Sequence, residues 1–164
     1  MLRPNQPAPE PKQPKRLADY TPPAYLIDEV DLNFDIRDDA TTVTSKLDIR
    51  RNPDAAPSEP TTLDLDGEDL ELVDIKLNGR KLTEQDYTRT DEGLSIPHMP
   101  ENAQLEITTH IKPHENLRLE GLYKSNDLFV TQMEAEGFRR VTYYPDRPDV
   151  MAKFTTRVEG DAEK

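Results

Sequence analysis

Apolar side chains recur at every second position through most of this chain, in short runs separated by polar turns. In AYLIDEVDLNFDIRDD, Val30, Leu32, Phe34 and Ile36 alternate with Asp31, Asn33 and Asp35. That is the period of an extended strand with one buried and one wet face. TTVTSKLDIRR repeats the pattern with Val43, Leu47 and Ile49, and Asp38-Asp39 supplies the turn between the two runs. NPDAAPSEP holds three prolines in nine residues and reads as a loop. Strands are predicted next in TTLDLDG, LELVDIKLNG and RKL, the last two joined by Asn78-Gly79, where both residues tolerate a positive φ. YTRTDEGLSIP reads as a hairpin through Asp91-Glu92-Gly93. AQLEITTHIKP alternates through Leu105, Ile107, Thr109 and Ile111, and GLYKSNDLFVTQM turns at Ser125-Asn126-Asp127. VMAKFTTRVEG alternates through Val150, Ala152, Phe154, Thr156 and Val158. No stretch carries the helical period over ten residues or more. Short alternating strands with polar turns predict an all-β, antiparallel sandwich.

Both ends depart from this pattern. Residues 1–18 hold five prolines and almost no buriable side chain, which predicts a disordered Pro-rich leader before a domain spanning 19–164. The last predicted strand has no later segment to pair with. A bare edge strand is an association hazard that complete domains manage, so the sandwich is expected to be truncated near its last strands.

Composition narrows the partners. The 33 acidic residues against 21 Lys and Arg leave a formal charge of −12. That balance disfavours nucleic acid and anionic membrane, both of which need clustered bases. No run approaches the length of a membrane helix, and the first residues lack the apolar core of a secretory signal. With no cysteine, disulfides and thiolate zinc sites are excluded. The expected location is cytoplasmic.

Metal chemistry finds no support in the residues. HENLR, 114–118, begins like the H-E-x-x-H zinc motif but places Arg118 where the second His belongs. His98, His110 and His114 are scattered, and DLDGED, 64–69, lacks the further ligands of a calcium loop, so Asp66-Gly67 reads as a turn. The segment TQMEAEGFRRVTYYPDRPDV, 131–150, is different, because charged residues, aromatics, a Gly and two prolines crowd together there. If Thr131–Glu134 extends a strand, Gln132 and Glu134 share one face and form a polar clamp of an amide beside a negative charge. Taken alone, that pair reads first as solvated strand residues, since most strand glutamates are simply exposed to water.

The run TQMEAEGFRRVTYYPDRPDVMAKFTTRV, with LEGLYKS upstream and PPAYLIDEVDLNFDI before it, resembles the amino-terminal domain of the zinc-dependent aminopeptidases of the aminopeptidase N family, bacterial branch. The resemblance covers nearly everything after the leader. It implies a saddle-like β-sandwich that packs on a thermolysin-like catalytic domain and serves peptide substrates with a free amino terminus. It assigns Gln132 to the pocket for the first side chain and Glu134 to the substrate α-ammonium, and implies a cis Glu134-Ala135 bond. Gly137, Phe138, Arg139, Tyr144, Arg147 and Asp149 are the supporting residues. The family's zinc ligands, its general base and its G-A-M-E-N motif have no counterpart in these residues. Zinc and catalysis are therefore expected from a catalytic domain missing from this chain, which alone is expected to be inactive. The alternative is a stand-alone, non-catalytic β-sandwich interaction module.

Overall fold

The computed structural model describes residues 16–37, 39–57 and 61–160. Eleven strands account for nearly all its regular structure: β1 (Tyr25–Ile36), β2 (Thr41–Arg51), β3 (Leu63–Asp66), β4 (Glu71–Leu77), β5 (Arg80–Lys81), β6 (Thr88–Arg89), β7 (Gly93–Ile96), β8 (Asn102–Ile111), β9 (Gly121–Ser125), β10 (Leu128–Gln132) and β11 (Lys153–Glu159). Two single-turn 3-10 segments, Leu17–Asp19 and Phe138–Arg140, are the helical elements among the described residues. Residues 1–15 of the predicted leader, and Asp38 of the predicted Asp38-Asp39 turn, lie outside the described residues.

A six-stranded sheet in the order β11-β1-β2-β8-β4-β5 forms one layer. A three-stranded sheet, β3-β7-β6, and a separate hairpin, β9-β10, complete the strand set. The alternation seen in the sequence is what builds the core. Val43, Leu47 and Ile49 of β2 and Leu105, Ile107 and Ile111 of β8 turn inward, and Leu63, Leu65, Leu94 and Ile96 of the small sheet belong to the same buried cluster. Each such side chain contributes about 1.5–3 kcal/mol of burial. In β1 the inward phase changes from Tyr25 and Ile27 to Val30, Leu32 and Phe34. One extra residue between Ile27 and Glu29 shifts the register against β2, which is the bulge that such a phase change requires. Asn78 and Gly79 carry φ of 50° and 79° and close the β4–β5 hairpin as their composition predicts.

The all-β, sandwich-like expectation holds, with one pairing of the other sense. β11 lies parallel to β1, Glu29 opposite Lys153 and Asp35 opposite Glu159. It is also exposed on both faces: Phe154 and Val158, predicted to point inward, are 46% and 63% accessible. The strand sits at the sheet's edge, where Phe154 is only partly covered, by the rings of Phe138 and Tyr144.

Candidate functional site

The irregular segment begins where β10 ends. Gln132 is the last residue paired across the β9–β10 hairpin, opposite Gly121. From there the chain folds into a turn instead of extending the strand to Glu134. The Gly137 amide donates back to the Met133 carbonyl at 2.8 Å, and Glu136 takes a φ of 68°. The Glu134-Ala135 peptide bond is cis. Gln132 Nε2 donates to the Glu134 carbonyl at 2.7 Å, so the amide side chain fixes the backbone that carries the glutamate. Gln132, Glu134 and Ala135 are all exposed, whereas Gly137 is buried. A Cβ at Gly137 would overlap the Gln132 carbonyl oxygen and crowd Met133, which is why glycine closes the turn.

Two arginines anchor the far side of that turn. Arg139 is held at both ends: its backbone N–H and Nε donate to Asp146 Oδ2 at 3.1 and 3.2 Å, and its own carbonyl accepts from the Glu68 amide at 3.0 Å. Burial pulls the Arg139 guanidinium down, but Asp146, Asp66 and Glu136 outweigh it and hold the group above its ordinary value. Arg140 is buried at 8% accessibility and meets three carboxylates, Glu120 through Nε at 2.9 Å, Glu68 through one terminal nitrogen at 2.5 Å and Asp69 through the other. Glu68 and Asp69 lie between β3 and β4, and Glu120 immediately precedes β9. A buried guanidinium is tolerated because its planar fork is matched by acceptors. DLDGED thus supplies carboxylates to arginines, and its Gly67 makes room for the ring of Tyr143, which a Cβ there would overlap.

The remaining predicted residues divide into two groups. Phe138 meets Tyr144 edge-on at 5.1 Å and Phe154 at 5.7 Å, so these rings pack directly behind the turn. Together with Met133, Arg147 and Met151 they line an open groove of about 430 Å³. Burial, and then the charge of Asp146, push the Tyr144 phenol up to about 12. Arg147 and Asp149 instead pair with each other at 2.7 Å and tie down the chain before β1. Arg147 donates to the Thr21 carbonyl at 2.8 Å, and its guanidinium lies over the Tyr20 ring. The hydrogen bond from Arg147 holds the Asp149 carboxyl below its usual range, against the opposing effect of burial.

Nothing in the sequence singles out Arg140 or Glu120, and Glu68 and Asp69 stand out only as part of DLDGED. The adjacent Arg139-Arg140 pair in an acid-rich chain is a weak signal, since Arg50-Arg51 shows the same pattern. The three histidines stay apart, with His110 on β8, His114 in the turn after it and His98 in a separate loop at φ 58°. Among the described residues no group of three His, Cys, Asp or Glu is placed to hold a metal ion, so these side chains do not fit zinc. Nor is any helix long and apolar enough to cross a membrane.

Comparison with known proteins gives this geometry a setting. The family profile described as the peptidase M1 N-terminal domain matches residues 21–164. Aminopeptidase N of Escherichia coli is 42% identical over 153 residues, covering 93% of this chain and 17% of that protein. Aminopeptidase N of Caulobacter vibrioides is 41% identical over 151 residues, 92% of this chain and again 17% of the relative. The chain therefore spans about a sixth of the length of these relatives. Among solved structures, aminopeptidase A of Legionella pneumophila, in complex with aspartic acid, superposes with a TM-score of 0.80 at 33% identity over 88% of this chain and 17% of that one. The M1 zinc metallopeptidase of Deinococcus radiodurans shares the fold, with a TM-score of 0.68 at 19% identity over 87% of this chain and 34% of that one.

Proposed function

Because the chain belongs to the peptidase M1 N-terminal domain family, we propose that it is the amine-recognising domain of a zinc aminopeptidase that removes residues from the free amino terminus of peptides. In this reading Glu134 receives the substrate's α-ammonium and Gln132 borders the space for the first side chain. The observation that carries it is the state of Glu134. Its backbone is fixed by Gln132, yet its carboxylate is exposed and has no ion-pair partner among the described residues. The carboxylates behind it, by contrast, are engaged by Arg139 and Arg140. An exposed carboxylate on a backbone fixed in this way is suited to a cationic ligand.

The chemistry follows from charge. A carboxylate about 4 Å from an ammonium gains roughly 4 kcal/mol at an effective dielectric near 20. A peptide nitrogen inside a chain carries no charge and forfeits that gain, so the clamp accepts chain ends and rejects internal bonds. Gripping the terminal nitrogen also sets how far the first peptide carbonyl reaches, which positions it for attack by groups elsewhere in the enzyme. Zinc, when bound by the complete enzyme, would polarise that carbonyl; the residues described here would only orient the substrate.

The test is Glu134→Ala in the complete enzyme. KM for an amino-acid p-nitroanilide is expected to rise about 30-fold or more, the scale of removing one partner of a desolvated charge pair, with zinc content unchanged. The 164-residue chain by itself is expected to show no turnover. An unaltered KM removes Glu134 from this role, and turnover by the chain alone overturns the division of labour.

A further inference from the structure

We infer that Arg140 is the positioning residue of the clamp, locking both ends of the turn that carries Glu134; this rests on the functional reading above. The turn has an entry and an exit. Its entry is Gln132, whose strand partner is Gly121. Glu120, the residue before Gly121, accepts from Arg140 Nε at 2.9 Å. Its exit is Gly137, whose carbonyl accepts from the Arg140 backbone N–H at 3.2 Å. One residue therefore holds the hairpin strand beside Gln132 with its side chain and the end of the turn with its backbone.

Close packing makes this lock specific. An ideal Cβ on Gly121, which has a φ of 73°, would stand 2.9 Å from Arg140 Cβ and 3.2 Å from the Gly137 carbonyl oxygen. The hairpin, the turn exit and Arg140 thus meet at a point with no spare volume. The other two arms of the guanidinium reach Glu68 and Asp69 and fix the assembly to the loop between β3 and β4. Asn116 holds the Glu120 arm from the opposite side, its Nδ2 donating to the carbonyls of Glu120 at 2.7 Å and Leu122 at 3.0 Å. Arg140 does not reach the substrate. It acts through Gln132 and Gly137 on where the Glu134 carboxylate stands, and a displacement of about 1 Å in such a group costs on the order of 100-fold.

The experiment compares Arg140→Met, Arg140→Lys, Glu120→Ala and Glu134→Ala in the complete enzyme, with an amino-acid p-nitroanilide as substrate. Arg140→Met is expected to raise KM about 10- to 100-fold and to lower kcat with it, since a loosened clamp holds the ammonium less well and misplaces the carbonyl for attack. Lysine, a single point charge without the fork, is expected to recover only part of the loss. Glu120→Ala removes the acceptor of one arm at a half-exposed position, so the protein is expected to fold with its Tm little changed and KM raised about 3- to 10-fold. This variant decides the matter if Arg140→Met does not fold. In the Glu134→Ala background, Arg140→Lys and Glu120→Ala are expected to add nothing further to KM, because there is no carboxylate left to position. A folded Glu120→Ala enzyme with wild-type KM overturns the inference, as does full additivity with Glu134→Ala. A wild-type KM for Glu134→Ala itself is a different result: it removes the functional reading, and this inference with it.

Discussion

In the six-stranded sheet the fully buried positions include Val43, Leu47, Leu105 and Ile107 beside Thr41, Ser45 and Thr109; in the 131–150 segment they are Val141 and Thr142, with the charged Arg140 nearly buried. The sheet gains its stability from many apolar contacts of similar size, so its cohesion is spread over the whole layer. The turn and its exit are held by two largely buried guanidiniums, 15% and 7% accessible, whose carboxylates stay partly exposed, so losing one guanidinium releases several partners at once. Spread cohesion tolerates graded change, whereas cohesion lodged in a few charges fixes one geometry and fails locally. An exposed turn depends on the second kind, because it has little apolar area of its own.

That contrast can be broken by measurement. Leu105→Ala, in the centre of the sheet, is expected to cost about 2–5 kcal/mol, the usual range for a truncated core leucine. Denaturant unfolding should show one cooperative transition shifted as a whole; a shift confined to the hairpin would erase the distinction. Gly137→Ala is expected to cost less, about 1–3 kcal/mol, because the added methyl meets the Gln132 carbonyl and the turn must open to admit it. Amide exchange at Met133–Gly137 should accelerate while that of β2 and β8 follows the global stability alone. Uniform acceleration would mean that the turn is not a separate unit.

The smallest effect concerns Tyr144, whose buried hydroxyl has no hydrogen-bond partner among the described residues. Tyr144→Phe is expected to change stability at neutral pH by no more than about 1 kcal/mol. The sharper signal is alkaline. The folded phenol titrates at about 12, above its ordinary value of 10.0, with burial the main cause. A raised folded value means that stability is fully present below pH 10 and is lost as pH rises towards 12. Tyr144→Phe should flatten that decline, leaving the part owed to Tyr143, which burial shifts in the same direction. An unchanged alkaline limb would show that Tyr144 is not desolvated.

The strands were legible because their signal is local. Alternation, turn residues and Asn78-Gly79 each act within a few positions, and the phase change from Ile27 to Val30 even marks the bulge in β1. β11 misled because alternation reports which side chains share a face, not how far that face is covered; Phe154 is covered only in part by Phe138 and Tyr144, and Val158 is left more exposed still. Family resemblance singled out Gln132 and Glu134, but the turn that carries Glu134 was not legible, since a strand pattern does not say where a strand stops. Arg140 was least legible of all. Its acceptors stand at 68, 69 and 120, and in a chain with 33 acidic residues none of them differs in sequence from a solvated surface acid.

The order of those residues along the chain has a consequence for how the protein is made. Asp66, Glu68, Asp69 and Glu120 are made before Arg139 and Arg140, so the ion pairs that tie the loop between β3 and β4 to the approach to β9 can close only once residue 140 has emerged. The core residues Val141, Tyr143 and Tyr144 and the edge strand β11 follow, so the turn acquires its complete surroundings only after the sheet's last-made strand is in place.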